Sequence, residues 1–331
     1  MRKPKGLSKL KPELTDLLPE DFKHREVFAA RLLERLGEAA AEQILKHLAA
    51  PRSWLSFWFN PLRPSTTQAL DDLRRAANAV PLASIEGLYI TQARDAVTRS
   101  TLATHGQLYI QSAASYAAAR ALNPQPGEEV LDLAAAPGGK TIAMAAMMQN
   151  TGRLAAVEPV VRRFHRLQAN LERCGVENVA LYQRDGRGVG RAVPARFDRV
   201  LLDAPCSSEA RINFADPQTY QHWQPRKVAE AQRKQHGLLA SAYAALKPGG
   251  RLLYCTCSFA LEENELVVAK LLKRSDAQLL VLPASDYAVP GLTDVPGRNL
   301  PAALQMTQRW LPDGAIEGFY MALIGKPAAP V

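Results

Sequence analysis

Cysteine is scarce in this sequence and long apolar runs are missing, and both absences exclude whole classes of protein. Four cysteines among 331 residues do not make the disulfide framework of a secreted domain, so we expect a reducing, cytoplasmic compartment. No stretch approaches the roughly 20 consecutive apolar residues of a membrane span. The first residues also lack the apolar segment of a secretory signal. We therefore predict no membrane partner.

Metal-ligand spacing is also missing. Cys255 and Cys257 form a Cys-x-Cys pair, but no second pair of Cys or His stands at a zinc-like distance in the sequence. We predict no metal.

Acidic residues are in the minority, and the excess of positive charge has more than one explanation. Lys and Arg number 41 against 32 Asp and Glu, which gives a net charge of +9 at pH 7. This balance suggests a polyanionic partner or an acidic membrane surface, and it equally suits a solvated surface that keeps the protein soluble. Basic residues cluster at Arg2, Lys3, Lys5, Lys9 and Lys11, and at Arg162, Arg163, Arg166, Arg184, Arg187 and Arg191.

The hydrophobic pattern changes near residue 120, and the length favours two domains. Before it, the sequence predicts helices over 27–48, 67–77 and 109–122 and an aromatic strand over 53–62. After it, short apolar runs of strand length alternate with helical segments. The predicted strands are 130–134, 153–157, 179–183, 199–204, 251–256, 279–282 and 319–324, and the predicted helices are 140–148, 161–174, 226–246 and 263–272.

This alternation is typical of βαβ units, and it predicts a doubly wound, mostly parallel α/β sheet with helices on both faces. Ligands of such sheets bind at the carboxyl ends of the strands, near the point where the strand order reverses. We therefore predict a Rossmann-like domain over 121–331. A smaller helical or mixed domain over 1–120 precedes it.

The first strand of this region leads into a glycine-containing loop, within VLDLAAAPGGKT at 130–141. Gly138 and Gly139 allow a ligand to approach the backbone, and the next helix adds the partial positive charge of its N-terminus. A P-loop would need Gly where Ala134 stands, and the dinucleotide pattern G-x-G-x-x-G is absent. The loop therefore favours a nucleoside with a charged tail that is not a phosphate.

Acidic residues end the next two predicted strands. Glu158 can accept hydrogen bonds from both ribose hydroxyls, and Asp185 is placed to hold an adenine. A single acid at such a position is more often a solvated loop residue. Two of them beside a Gly-Gly loop favour cofactor binding.

Cysteines follow the fourth and fifth strands. A free cysteine is usually a small buried apolar residue, and Cys174 keeps that interpretation. Cys255 is expected to point into the core from the same face as Cys257. Because neighbouring parallel strands end at one edge of the sheet, we expect Cys206 and Cys257 to face one cleft together with Asp203.

Two thiols and a carboxylate suit methylation at carbon 5 of cytosine. That carbon is too poor a nucleophile to attack a sulfonium methyl group unless a thiolate first adds to carbon 6 while a carboxyl group binds nitrogen 3 and the exocyclic amine. A base must then remove the carbon 5 proton. The site must also lower the thiol pKa from about 8.5, and we expect Lys140 and the sulfonium to do so. Which cysteine attacks stays open at this point.

The same stretches resemble those of the Sun-type RNA 5-methylcytosine methyltransferases, over residues 106–326. The matching stretches are GQLYIQ (106–111), VLDLAAAPGGKT (130–141), LLDAPCS (201–207), LKPGGRLLYCTCS (246–258), EENE (262–265) and EGFYMALIGK (317–326).

The resemblance implies a class I methyltransferase fold, S-adenosyl-L-methionine as cofactor and RNA as substrate. It implies that Cys257 is the nucleophile, that Cys206 assists release of the methylated RNA as a base, and that Lys140 and Asp203 orient the target base. The implied cofactor contacts are Ala134, Ala135, Ala136, Pro137, Gly138, Gly139, Lys140, Glu158, Asp185 and Asp203.

The sequence departs from the family pattern in three places. Ser208 stands where Gly commonly follows Pro-Cys-Ser, Cys255 stands where Ser or Ala is common, and Trp58 replaces the Arg of an Arg-x-Asn motif. Trp58 can stack on an RNA base or fill a core.

Three functions compete at this stage. A methyltransferase acting on nitrogen would carry Asn/Asp-Pro-Pro-Tyr after the fourth strand, and the segment 203–206 reads Asp-Ala-Pro-Cys instead. A catalytically silent RNA-binding assembly factor stays open because the N-terminal motif is changed. We favour the enzyme, with ribosomal over transfer RNA as substrate, residues 1–120 as an RNA-positioning domain, and a monomeric state.

Overall fold

The computed structural model describes residues 12–295 and 297–328, so the predicted basic tail at Arg2, Lys3, Lys5, Lys9 and Lys11 lies outside the described residues. Up to residue 122 the chain is helical with a small sheet. Its elements are α1 (Pro12–Thr15), α2 (Arg25–Leu36), α3 (Glu38–Ala49), β1 (Leu55–Phe59), α4 (Thr67–Ala76), β2 (Val80–Pro81), β3 (Leu88–Thr91), α5 (Arg94–Thr98), α6 (Thr101–Thr104), β4 (Leu108–Ile110) and α7 (Ala113–Leu122).

Two helix predictions in this part are wrong in extent. The helix predicted over 27–48 is broken at Gly37, whose φ of 81° lies in the left-handed region, and α2 and α3 then pack against each other. The helix predicted over 109–122 begins only after Ser112, whose side chain caps α7. Its first residues instead form β4, which pairs antiparallel with β1.

Strand β1 is aromatic because its side chains enter two different cores. It lies inside an antiparallel sheet of order β2-β3-β1-β4. Successive strand side chains point to opposite faces. Phe57 therefore packs in a small cluster with Leu73 and Val97, whereas Trp58 joins the large cluster that continues into the second half of the chain.

The second half of the chain forms a nine-stranded sheet. The elements from residue 129 on are β5 (Glu129–Asp132), α8 (Gly139–Met147), β6 (Arg153–Val157), α9 (Val161–Arg173), β7 (Val179–Tyr182), α10 (Val189–Ala192), β8 (Phe197–Asp203), α11 (Pro225–Ala245), β9 (Leu246–Thr256), α12 (Glu265–Arg274), β10 (Gln278–Leu280), β11 (Ala288–Pro290), β12 (Asp294–Val295), β13 (Arg298–Asn299), β14 (Gln308–Trp310) and β15 (Phe319–Gly325).

The strand order explains where a ligand should bind. It runs β7-β6-β5-β8-β9-β15-β14-β11, with the first five strands parallel and the last three antiparallel, while β10 pairs with β15. The direction of winding reverses between β5 and β8, so the carboxyl ends of these two strands form the crevice. The mostly parallel sheet is the one predicted.

Both faces of the sheet are buried. Alternate residues of β9 enter different hydrophobic clusters: Leu253 and Cys255 the first, and Leu252 and Tyr254 the second. Helix α7 packs against α8, β8, β9 and β15, so the segment before residue 122 is continuous with this core. The domain boundary proposed at residue 120 stays a prediction. None of the helices in the described part of the chain has the length and apolar character needed to cross a bilayer.

Candidate active site

A cleft of about 350 Å³ opens where β5 and β8 end. Arg52 and the segment 109–112, from the N-terminal part of the chain, form one of its walls. Seven of the ten predicted cofactor residues line it, whereas Gly138, Glu158 and Asp185 do not. The predicted residues in its wall are Ala134, Ala135, Ala136, Pro137, Gly139, Lys140 and Asp203.

The two glycines of the loop are both required by their surroundings. Gly138 has a φ of 111°, a conformation that side chains disfavour, and it directly precedes α8. A Cβ atom on Gly139 would lie 3.0 Å from the Tyr109 ring and 3.2 Å from the Gln111 amide. Gly138 is therefore favoured by its backbone conformation, and Gly139 by the close packing of Tyr109 and Gln111 against the start of α8.

Asp132 belongs to this site although it was not among the predicted contacts. Its Oδ2 accepts a hydrogen bond of 2.7 Å from Thr141 Oγ1, and its buried Oδ1 has no partner among the described residues. Burial raises the pKa of Asp132 to about 6, although the Thr141 bond opposes the shift. A buried, half-paired carboxylate beside a glycine loop fits the cationic tail of S-adenosylmethionine.

Glu158 and Asp185 sit beyond the cleft wall and differ in exposure. Glu158 is buried, with Oε1 accepting from Val160 N at 2.9 Å and Oε2 lying 3.5 Å from Arg163 Nη1. Asp185 is half exposed and ion-paired with Arg187, whose hydrogen bond lowers the Asp185 pKa. Because Arg163 also donates to Ala136 O at 2.8 Å, Glu158 is tied to the loop.

Lys140 and Asp203 form a mostly buried ion pair inside the cleft. Lys140 Nζ donates to Asp203 Oδ2 at 2.6 Å and to Ser115 Oγ at 2.9 Å. Burial alone would lower the Lys140 pKa, but the charge of Asp203 raises it, so the ammonium stays protonated. Cys255 Sγ lies 3.7 Å from the other oxygen, Asp203 Oδ1. This cysteine packs behind the carboxylate, in the same cluster as Cys257, as expected.

The two cysteines predicted to act together are brought together, but neither lines the cleft that contains Asp203, and Cys206 lines a neighbouring pocket instead. Cys206 Sγ and Cys257 Sγ are 3.4 Å apart, and both thiols are free. The hydrogen bond from Cys206, together with the charge of Arg211 and against burial, lowers the pKa of Cys257. The same bond and burial raise the pKa of Cys206. Cys257 is therefore the thiol that ionises first.

The cation near the nucleophile differs from the one expected. Lys140 was predicted to favour the thiolate, but its charge is directed at Asp203. The cation that favours the Cys257 thiolate is instead Arg211, on a short helix that follows Ser208. Ser208 has a φ of 59°, which explains why glycine is common at this position in Sun-type enzymes.

A buried carboxylate joins the loops that carry the two cysteines. Glu263 Oε1 accepts from Ser207 N at 2.9 Å and from Gln235 Nε2 at 3.1 Å. Its Oε2 accepts from the hydroxyls of Ser207 and Ser258. Burial and the neighbouring Glu209 raise the pKa of Glu263 to about 7. Ser207 and Ser258 each adjoin one cysteine, so one side chain sets the relative position of both thiols.

The other residues of the EENE segment (262–265) hold the same region. Glu262 pairs with Arg31 at 2.8 Å, and Asn264 Nδ2 donates to Ser258 O at 2.7 Å. Glu265 forms a fully buried ion pair with Arg309 of β14. In the sequence, the EENE segment was noted only as one of the stretches that resemble the family. Its role was missed because four adjacent polar residues before an apolar helix look like a solvated N-terminus, and only the fold buries them.

Known proteins show which family this site belongs to. A family profile described as 16S rRNA methyltransferase RsmB/F matches residues 119–325. The chain belongs to this family. Among solved structures, a methyltransferase homolog protein from Pyrococcus horikoshii is 33% identical, with a TM-score of 0.81 over 96% of this chain and 100% of that one. The predicted Sun-type family and the class I methyltransferase fold are therefore confirmed.

Curated members of the RsmB/F family are longer than this chain. Ribosomal RNA small subunit methyltransferase F of Klebsiella pneumoniae (strain 342) is 44% identical over 207 residues, which are 61% of this chain and 43% of that protein. The protein of the same name from Escherichia coli O127:H6 is 38% identical over 250 residues, or 74% and 50%. The chain spans about half the length of these relatives. The structure titled NSun6 from P. horikoshii with SFG, at 20% identity and a TM-score of 0.77, covers 95% of this chain and 99% of that one and supports the fold alone.

Proposed function

We propose that this protein transfers the methyl group of S-adenosyl-L-methionine to carbon 5 of a cytosine in RNA, through a covalent bond between Cys257 and the base. Ribosomal RNA is favoured over transfer RNA, in keeping with the names of the curated relatives. The observation that carries the proposal is the thiol pair at 3.4 Å, near enough to Asp203 for its charge to act on the Cys257 pKa. An enzyme acting on nitrogen would need neither thiol.

In this proposal each side chain has one task. The Cys257 thiolate adds to carbon 6, and electron density moves to carbon 5. Asp203 accepts a hydrogen bond from the exocyclic amine and is held in place by Lys140. When bound, S-adenosyl-L-methionine would supply the electrophilic methyl group that carbon 5 takes, with S-adenosylhomocysteine as the second product. Once Cys257 is bonded to carbon 6 and no longer carries a negative charge, Cys206 releases its own proton to solvent. The resulting Cys206 thiolate takes the carbon 5 proton, after which the carbon–sulfur bond breaks and Cys257 leaves as a thiolate.

The predicted cofactor residues divide by position. The loop 134–140 and Asp132 would hold the methionine end in the cleft. Glu158 and Asp185, at the ends of β6 and β7, would hold the ribose and the adenine.

Exposed arginines on α9 and the N-terminal residues would bind the phosphate backbone. If about six phosphates are contacted, RNA affinity falls by orders of magnitude between 50 and 200 mM salt. An RNA affinity that does not change with salt would contradict the proposed phosphate contacts.

A trapped complex tests the covalent step. Purified protein is incubated with S-adenosylmethionine and total RNA that carries 5-fluorocytosine, because fluorine at carbon 5 blocks the final elimination. Mass spectrometry should detect a protein–RNA adduct that Cys257→Ala abolishes and Cys206→Ala retains. Cys174→Ala, at a buried thiol far from the pair in sequence, is the matched control. Dependence on Cys206 would reverse the thiol roles, and cofactor binding without any adduct would favour the silent assembly factor.

A further inference from the structure

Next to the cofactor cleft lies a second groove, of about 490 Å³. One wall comes from the end of α3 and the segment that leads into β1, including Lys46, Arg52 and Trp54. Arg94 of α5 and the loop 312–317 complete it. The volume lies in the range of small-molecule sites and is sufficient for a nucleotide.

Trp54 differs from the other three tryptophans of the chain. Trp58, Trp223 and Trp310 are 2–5% exposed, and each donates its indole N–H to a side-chain oxygen, of Gln111, Glu209 and Gln308 respectively. Trp54 is 36% exposed, and its indole has no hydrogen bond or ring contact with any residue in 12–295 or 297–328. A large aromatic face is thus left open toward the groove.

The groove and the cleft adjoin each other. Arg52 and Glu317 line both, and Arg52 Nη1 lies 3.6 Å from Glu317 Oε1 at their junction. Arg52 is anchored there by its bond to Ile212 O at 3.0 Å. A base that enters the cleft to reach Asp203 must leave its stack, and the adjoining groove is within reach of the nucleotide attached to it.

The charges in the groove favour a phosphate on one side. Arg94 forms no ion pair with the described residues, and Lys46 pairs with Glu42 at an exposed position. Asp313 lies in the opposite loop, together with Glu317. Proteins bind single strands by combining such cations with an aromatic face that stacks on a base of any identity.

We propose that this groove holds the nucleotide next to the target cytosine in single-stranded RNA, and that Trp54 stacks on its base. The inference rests on the proposed function and adds the route of the substrate strand. Trp54 thus takes the stacking role for which Trp58 was a candidate from the sequence. Trp58 is buried, 5.3 Å from the Tyr116 ring, and fills the core.

The first test uses single-stranded RNA nonamers with a central 5-fluorocytidine between random flanks. The RNA concentration that gives the half-maximal adduct rate should rise about tenfold in Trp54→Ala, because one stacked base is lost. Trp54→Phe should restore it to within about threefold, and the affinity for S-adenosylmethionine should not change. Met306→Ala, at another exposed apolar residue, is the matched control. An unchanged half-maximal concentration in Trp54→Ala overturns the proposal.

The second test needs no turnover. Single-stranded RNA containing 4-thiouridine is irradiated with the protein, and the cross-linked peptides are mapped. Labelling of the peptide that contains Trp54, lost in Trp54→Ala, is expected. A map that leaves 46–54 and 312–317 unlabelled overturns the groove as the RNA site. Cross-linking through Trp54 without any adduct on 5-fluorocytidine RNA would instead uphold the groove and refute methyl transfer.

Discussion

The carboxyl ends of the parallel strands fall into two neighbouring groups, here called the cofactor edge and the thiol edge, and the two groups hold their acidic side chains in different ways. At the cofactor edge, formed by β5, β6 and β7, Glu158 and Asp185 accept hydrogen bonds from residues two positions away. At the thiol edge, formed by β8 and β9, Glu263 binds Ser207 over 56 positions and Glu265 binds Arg309 over 44. The cofactor edge is built from local turns, whereas the thiol edge depends on distant segments meeting. A substitution at the cofactor edge should therefore have only a local effect, whereas a substitution at the thiol edge should move both thiols.

The largest effect is expected where the two edges meet. Lys140→Met removes the cation from Asp203, whose side chain is 31% exposed, so the carboxylate is no longer held in place toward the target base. We expect the methylation rate to fall by ~100-fold or more, measured by transfer of a radioactive methyl group to RNA. A decrease in the methylation rate of less than tenfold would show that the Lys140–Asp203 pair only supports the fold and does not couple the cofactor edge to the thiol edge.

Glu263→Gln tests whether one side chain positions both thiols. An amide keeps one acceptor oxygen for Ser207 N, but its NH2 group must donate to the two hydroxyls from which the carboxylate accepts, so both serine hydroxyls have to reorient. We expect the adduct rate to fall by ~10- to 100-fold while the affinity for S-adenosylmethionine changes less than about twofold. Glu262→Gln, which removes only the partly exposed pair with Arg31, is the control. A loss of cofactor affinity in Glu263→Gln would end the distinction between the edges.

Arg211→Gln sharpens the comparison through pH. The arginine helps to lower the Cys257 pKa, so its loss raises that pKa and reduces the thiolate fraction at neutral pH. The acid limb of the adduct rate should shift to higher pH, with a deficit of about tenfold at pH 7 that closes as pH rises. Arg226→Gln, at an exposed helix pair, is the control. An equal deficit at every pH would mean that Arg211 acts by binding RNA instead.

The smallest effect is expected at the cofactor edge. Asp185 is half exposed, and its carboxylate is already shared with Arg187. Asp185→Asn should weaken S-adenosylmethionine binding about threefold by calorimetry, in keeping with the low value of exposed charges. The adduct rate at saturating cofactor should not change. A slower rate at saturation would show that the two edges communicate.

The same distinction explains what the sequence could predict. The parallel sheet, the loop 130–141 and the meeting of Cys206 with Cys257 follow from local patterns and from the geometry of parallel strands. The carboxyl ends of the strands predicted after residue 120 lie within two residues of the observed ends because apolar runs bounded by turn residues set them, whereas β9 begins at 246 instead of 251. The helix over 27–48 was wrong because its apolar spacing continues across Gly37, where the backbone turns.

What the sequence could not predict depends on long-range burial. The short strands between 288 and 310 have two or three residues each and show no periodic pattern. The EENE segment looked solvent-exposed, and Arg211 lay in a loop that was noted only for departing from the family. Trp54 and Trp58 are four residues apart in one aromatic segment, but Trp54 lies before β1 and is exposed, whereas Trp58 lies within β1 and is buried against Tyr116 of α7.

The sulfur atoms of Cys206 and Cys257 are separated by 3.4 Å, against about 2.05 Å in a disulfide, so a small approach and the loss of two electrons would join them. Peroxide or air could thereby consume the attacking thiol and its partner in one event, and a reductant would return both. We expect activity to disappear on storage without a reductant and to reappear with dithiothreitol. A protein handled in air would then behave as the silent assembly factor, whatever its function in the cell.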